Sequence, residues 1–150
     1  MAEQIGLRLP VQSSSGIDDF LLSDCNSMAV SLLEDWENWP NLKHTLSGPA
    51  ASGKTHLGRI WAKQTNAFFL DAKTLKISDV DRIATTPLAI DNVSEMKAVS
   101  ELEEALFHVH NLLQERKLPF LLIGKGSPQF WNISLSDLNS RIQGAINAQI

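Results

Sequence analysis

One cysteine, Cys25, is all the thiol chemistry this 150-residue chain possesses. A lone cysteine excludes an internal disulfide and suits a reducing compartment. With no Cys or His partner near it in sequence, it also offers no metal-binding pattern and reads as a small packing residue. No apolar run approaches the length needed to cross a bilayer, and the first residues lack the basic-then-apolar order of an export signal. A cytoplasmic protein without membrane contact is therefore expected. Positive charge is scarce as well, since 13 Lys and Arg stand against 17 Asp and Glu for a formal net charge of -4. Non-specific affinity for nucleic acid comes mainly from Lys and Arg neutralising phosphates, so this balance argues against a free-standing DNA binder and leaves DNA contact indirect. Internal repeats are absent, and the only biased tract is Ser13-Ser14-Ser15-Gly16. What the chain does have is 43% hydrophobic residues, enough to fill the core of one compact domain.

It also has one motif. The stretch Gly48-Pro49-Ala50-Ala51-Ser52-Gly53-Lys54-Thr55 fills every fixed position of the phosphate-binding loop pattern. Glycines let backbone N–H groups curl around phosphate oxygens with no side chain in the way. Lys54 can then reach the outer phosphates, Thr55 can hold Mg²⁺, and the N-terminus of the following helix adds a favourable dipole. A strand-like His44-Thr45-Leu46-Ser47 leads in, and Leu57, Ile60 and Trp61 follow at helical spacing. A nucleotide with Mg²⁺ is the expected ligand.

Before the loop, residues 1–16 read as an extended segment, because Pro10 and the serine run disfavour regular structure. Within it, Gln4-Ile5-Gly6-Leu7-Arg8-Leu9 alternates apolar residues behind a glutamine, a pattern open to a first strand, a loose tail or a peptide that docks into a partner's pockets. Asn26 is a candidate cap for a helix whose apolar face would be Met28, Ala29, Leu32, Leu33 and Trp36, ending before Pro40. Trp36 and Trp39 read as packing residues on or beside that face. After the loop, Ala67-Phe68-Phe69-Leu70 reads as a buried strand, Asp79 to Ala84 as a short helix, and Pro87-Leu88-Ala89-Ile90 as a strand ending on Asp91. An acid at that strand end is either the second anchor for Mg²⁺ or a turn cap. A long helix is expected from about Glu101 to Arg116, with Leu102, Ala105, Leu106, Val109, Leu112 and Leu113 on one face. His108 and His110 are two apart on it, cannot easily share a metal, and read as packing or surface residues. The strand Phe120-Leu121-Leu122-Ile123, a turn at Gly124 to Pro128 and a short helix near Leu135 to Ile142 complete the pattern. Strands alternating with helices imply a three-layer α/β fold: a parallel sheet between helices, with ligands at the carboxyl ends of the strands.

Taken together, these segments resemble the nucleotide-binding domain of the DnaA/Hda family of AAA+ P-loop proteins. Asp19-Phe20-Leu21-Leu22 with Asn26 and Ala29 is similar to the family segment that lies near adenine, with Ser23 where the family usually has glycine. Gly48 to Thr55 corresponds to the Walker A loop and Leu88 to Asn92 to the Walker B strand. Leu106-Phe107-His108 with Asn111 resembles the following helix, and Leu138-Asn139-Ser140-Arg141 the box that ends in the arginine finger. The resemblance implies a nucleotide-binding base domain over residues 17–150, ATP or ADP as ligand, and Phe20, Leu21, Leu22 and Asn26 near the base. It implies that Gln4, Ile5, Leu7 and Leu9 form a peptide for the sliding clamp of the replicative polymerase, with Ile5 in place of the usual leucine. DnaA is the second implied partner, Arg141 reaching the ATP it holds, and self-association is a further expectation. For Arg141 the residues alone leave a helix-surface ion pair as the alternative.

The departures from the family pattern are informative. Active members place an acid after the Walker B aspartate, whereas this chain has Asn92, so slow intrinsic turnover is expected. At the sensor position after Ile123 the nearest match is Lys125, either a phosphate contact or a solvated turn residue. The sequence stops at Ile150, where the family continues into a helical lid, so a base without its lid and with weakened nucleotide retention is expected. Three functions follow: a regulator of replication initiation acting on DnaA-bound ATP, an autonomous P-loop ATPase, or a degenerate nucleotide-binding adaptor.

Overall fold

The computed structural model describes residues 24–150. Five helices and five strands alternate through them: α1 (Asp24–Glu34), β1 (Lys43–Gly48), α2 (Lys54–Thr65), β2 (Phe68–Asp71), α3 (Val80–Ile83), β3 (Leu88–Asp91), α4 (Ser100–Arg116), β4 (Phe120–Lys125), α5 (Ser136–Gln143) and β5 (Ile146–Gln149). All strand pairs are parallel, in the order β2-β3-β4-β1-β5. This is the three-layer α/β architecture expected from the alternation of elements.

Both faces of the sheet are covered, and side-chain alternation along the strands assigns each residue its layer. Leu88, Ile90, Phe120 and Leu122 pack with Val80 and Ile83 of α3, Leu106, Val109 and Leu113 of α4, and Leu138 and Ile142 of α5. Ala89, Leu121, Ile123, Leu46 and Ala148 face the opposite way, onto Ala29, Val30 and Leu33 of α1 and Leu57, Ile60 and Trp61 of α2. Trp39 belongs to this second layer, its ring stacked on Trp61 at 5.4 Å and its Nε1 donating to Leu32 O. Trp36 packs against the same layer, so both tryptophans are packing residues as read. His110 is buried and His108 exposed, again as read.

The structure departs from the sequence reading at several points. Strand β2, read as buried, is an edge strand whose Phe68 is exposed and whose Phe69 and Leu70 are only half-buried, because β3 pairs with it on one side alone. Asn26 lies within α1 (Asp24–Glu34) rather than at its cap. Met28 is 63% exposed, and the buried face of α1 is Ala29, Val30 and Leu33. Strand β5 carries no strong pattern of its own, only Ala148 being buried. It forms because Ile146 to Gln149 pair along β1, a tertiary cause that local propensity does not record.

Candidate nucleotide site

Every feature of the loop lies at the carboxyl edge of the sheet. Strand β1 ends on Gly48, where a Cβ would come within 2.8 Å of Ser52 Oγ and 3.2 Å of Ile150 Cβ, so the loop closes on itself only over a glycine. Pro49, Ala50 and Ala51 form its exposed crest. Gly53 stands at φ +92° immediately before the first residue of α2, a conformation that a side chain would strain. Lys54 is buried and folds back across the loop, its Nζ donating to Pro49 O at 2.9 Å. Thr55 Oγ1 donates to Asp91 Oδ2 at 2.8 Å, joining α2 to the end of β3. An open cavity of about 410 Å³ is lined by Ala51, Ser52, Gly53, Lys54, Thr55, His56 and Arg59. Arg59, one helical turn beyond Thr55, lies over the Phe69 ring at 4.3 Å.

This set suits an anion with a divalent cation. Among the described residues the hydroxyl of Ser52 is buried without a hydrogen-bond partner, an unusual state that a phosphate oxygen would relieve. The loop precedes a twelve-residue helix, so its N–H groups and dipole favour negative charge. Thr55 and Asp91 supply hydroxyl and carboxylate oxygens, the donors that Mg²⁺ takes. Among the described residues no cluster of three or more His, Cys, Asp or Glu suits a transition metal.

Asp91 is buried, and its Oδ1 accepts from the backbone N–H of Asn92 at 2.8 Å. Asn92 takes a left-handed conformation, φ +60°, and turns its Nδ2 to Asp71 Oδ2 at 2.8 Å. Asp71 is the residue that sequence reasoning missed. The signal was there, since β2 reads Phe-Phe-Leu-Asp and β3 Leu-Ala-Ile-Asp, both strands finishing on aspartate, and the register aligns them Asp71 to Asp91. Lys125 is exposed at the end of β4, directly opposite Gly48. Its backbone N–H donates to Ser94 Oγ.

Arg141 lies elsewhere. It is exposed in the last turn of α5, with its guanidinium 5.3 Å over the Phe107 ring, and no ion pair engages it among the described residues. Contact with an aromatic face therefore replaces the surface ion pair that the sequence left as its alternative. Its carbonyl accepts from Lys43 Nζ at 2.8 Å. Lys43 opens β1 and Gly48 closes it, five residues on. At 3.3 Å per residue the two ends of the strand are about 16 Å apart, so Arg141 sits at the sheet edge opposite its own loop.

Lys43 Nζ also lies 3.2 Å from His110 Nε2. Burial, then the Lys43 charge and more weakly that of Arg141, push the His110 imidazole down to about 4. Burial, followed by Arg141, lowers Lys43 as well. An unfolded histidine takes up its proton near pH 6.5 while this folded one does not, so its stabilising contribution is complete above pH 6.5 and lost as pH falls toward 4. The loss should be on the order of 2 kcal/mol after allowance for solvent screening. Urea unfolding of wild type and His110→Gln at pH 6.5, 5 and 4 checks it, with the variant showing the flatter dependence.

Residues Gln4, Ile5, Leu7, Leu9, Phe20, Leu21 and Leu22, and the segment 1–16 as a whole, lie outside the described residues. The backbone of Asn26 is in α1, but its side chain is not described.

The parallel order β2-β3-β4-β1-β5, with a glycine-containing loop after β1 and an aspartate ending β3, is the three-layer α/β fold of AAA+ domains. Solved structures of replication proteins have this same fold. The replication initiator DnaA bound to AMPPCP and single-stranded DNA superposes with a TM-score of 0.80 at 18% identity, over 93% of this chain and 50% of that one. Domain III of the Thermotoga maritima replication initiation protein DnaA gives 0.77 at 19% identity, over 95% and 69%. The DnaC helicase loader gives 0.66 at 11% identity, over 91% and 97%. The chain thus spans about half the length of that DnaA chain. No protein-family model and no curated protein matches the sequence. No helix among the described residues is long and apolar enough to cross a membrane.

Proposed function

We propose that this chain is an adenine-nucleotide-binding regulator of the initiation of chromosome replication, of the DnaA/Hda kind, which promotes hydrolysis of ATP held by DnaA. The observation that carries the reading is the position of Arg141. It is exposed, has no acid partner among the described residues, and its carbonyl is held by Lys43 at the end of β1 opposite Gly48, so it suits a nucleotide held by a neighbouring molecule. An arginine supplied in trans stabilises the charge that spreads over a transferring phosphoryl group.

In this reading the chain's own site binds ATP or ADP as a structural and regulatory ligand. Lys54 exchanges Pro49 O for phosphate oxygens, and Ser52 with the N–H groups of residues 50–55 takes the remainder. Thr55 and Asp91 would hold Mg²⁺, which neutralises phosphate charge when bound. Lys125 and Asn92 flank the loop as sensor-like groups, and adenine would lie against Phe20, Leu21, Leu22 and Asn26. Gln4, Ile5, Leu7 and Leu9 tether the chain to the sliding clamp on DNA, so contact with DNA is indirect. AMPPCP bound to DnaA supports an adenine nucleotide as the ligand class.

Titration calorimetry with ATP and ADP tests the site. Wild type should bind at least one of them, and Lys54→Ala should bind roughly 100-fold more weakly, through loss of one charge-assisted phosphate contact in a partly buried site. A wild type that binds neither would leave a degenerate scaffold. An autonomous ATPase is the second reading, favoured by the carboxylate of Asp71 beside Asn92.

A further inference from the structure

We infer that Asp71 supplies the carboxylate missing from the position after Asp91, so that the acid of this site has moved one strand across and Asn92 holds it in place. The inference rests on the nucleotide-site reading above and adds a water-orienting group to it.

The argument is geometric. β2 and β3 run parallel in register, Phe68 with Leu88 through Asp71 with Asp91, and both aspartates end their strands at the edge where the loop lies. A continuous chain of hydrogen bonds then joins four side chains. Thr55 Oγ1 donates to Asp91 Oδ2, Asn92 N donates to Asp91 Oδ1, and Asn92 Nδ2 donates to Asp71 Oδ2, each at 2.8 Å. The far oxygen of Asp71 accepts from Lys73 N, also at 2.8 Å, which fixes the plane of the carboxylate. Asp71 remains only half-buried. Each of its oxygens has two acceptor sites and uses one here, so the group can still take a hydrogen bond from water.

The amide at 92 follows from this arrangement. A carboxylate there would stand where Asn92 Nδ2 now donates, 2.8 Å from another carboxylate, and the two could not both ionise at neutral pH without strong repulsion. The amide instead donates, and it is a positioning residue for Asp71. With a nucleoside triphosphate bound, a water beside Asp71 would attack the γ-phosphorus. A new O–P bond forms, the bond between γ-phosphorus and the bridging oxygen breaks, and its electron pair leaves on the β-phosphate. The water's proton passes to the Asp71 carboxylate and from there to solvent, giving nucleoside diphosphate and phosphate.

Full-length wild type, Asp71→Asn, Asn92→Asp and the reciprocal double variant should be compared for ATP affinity, turnover and thermal midpoint at neutral pH. Asp71→Asn should lower kcat roughly 100-fold while ATP affinity stays within about threefold. Asn92→Asp should lower the thermal midpoint, and the double variant, which exchanges acid and amide across the same hydrogen bond, should restore that midpoint and return turnover to within about tenfold of wild type. A merely structural pair would recover the midpoint on exchange but show no kcat loss in Asp71→Asn. Turnover by Asp71→Asn equal to wild type, or ATP binding by wild type with no turnover at all, overturns the inference and leaves the nucleotide site standing. Absence of ATP binding by wild type overturns both.

Discussion

On the proposed function, replacing Arg141 with alanine should abolish about three orders of magnitude of the stimulated hydrolysis of DnaA-bound ATP, while the chain's own nucleotide binding and thermal midpoint hardly change. The separation is expected because the side chain is exposed over the Phe107 ring, and its backbone is held by Lys43 at the end of β1 opposite Gly48. Loss of one exposed contact between a guanidinium and a ring costs about 0.5–1 kcal/mol, too little to disturb the fold. A cation aimed at developing phosphoryl charge is worth far more, because it acts in the transition state alone. Arg141→Lys should recover only part of the rate, since an ammonium keeps the charge but loses the planar fork. Phosphate release from DnaA·ATP in the presence of DNA-loaded clamp is the measurement. A rate unaltered by Arg141→Ala would remove the catalytic half of the proposal.

Glu103 should dominate stability among the polar residues. It is 2% exposed on α4, and it accepts from Ser134 N, Ser134 Oγ and Leu135 N at 2.8 to 2.9 Å. Those groups immediately precede α5, whose first turn has no side-chain cap of its own, so the carboxylate of α4 serves in place of a cap and meets the positive end of the α5 dipole. Glu103→Ala leaves three donors without their acceptor and should cost about 3 kcal/mol, lowering the thermal midpoint by roughly 6–12 °C. Glu103→Gln keeps the shape and one acceptor and should cost about half as much. Because α5 carries Arg141, the alanine variant should also lose stimulated hydrolysis out of proportion to any change in nucleotide affinity. Equal thermal midpoints for wild type and Glu103→Ala would show that α5 is held by Leu138 and Ile142 alone.

Much of this protein is legible in its residue order because the causes are local. The loop from Gly48 to Thr55 is a contiguous pattern, and the apolar runs at 88–90 and 120–123 are short and uninterrupted, as strands covered on both faces must be. Helix α4 shows its period over 17 residues. The pairing of Thr55 with Asp91 follows from where a P-loop helix and a neighbouring strand end must meet. Other features were not legible, for an equally physical reason. Asn92 in sequence is a missing acid, and only the register of β2 against β3 reveals Asp71 beside it, 21 residues away along the chain. Lys43 and His110, 67 residues apart, form a buried contact that no spacing rule announces.

Residue order alone determined the glycine-containing loop from Gly48 to Thr55, the alternation of strands and helices, and hence a parallel three-layer sheet with that loop at its carboxyl edge. Those features depend on contiguous backbone conformation and on the periodic burial of side chains, which a linear pattern records. Tertiary structure decided what lies across from what: that Arg141 faces away from its own loop, that Asp71 stands next to Asn92, that Glu103 stands in for a cap on α5, and that Ile146 to Gln149 become a strand. Each of these joins segments distant in sequence, and only the packed sheet brings them within hydrogen-bonding distance.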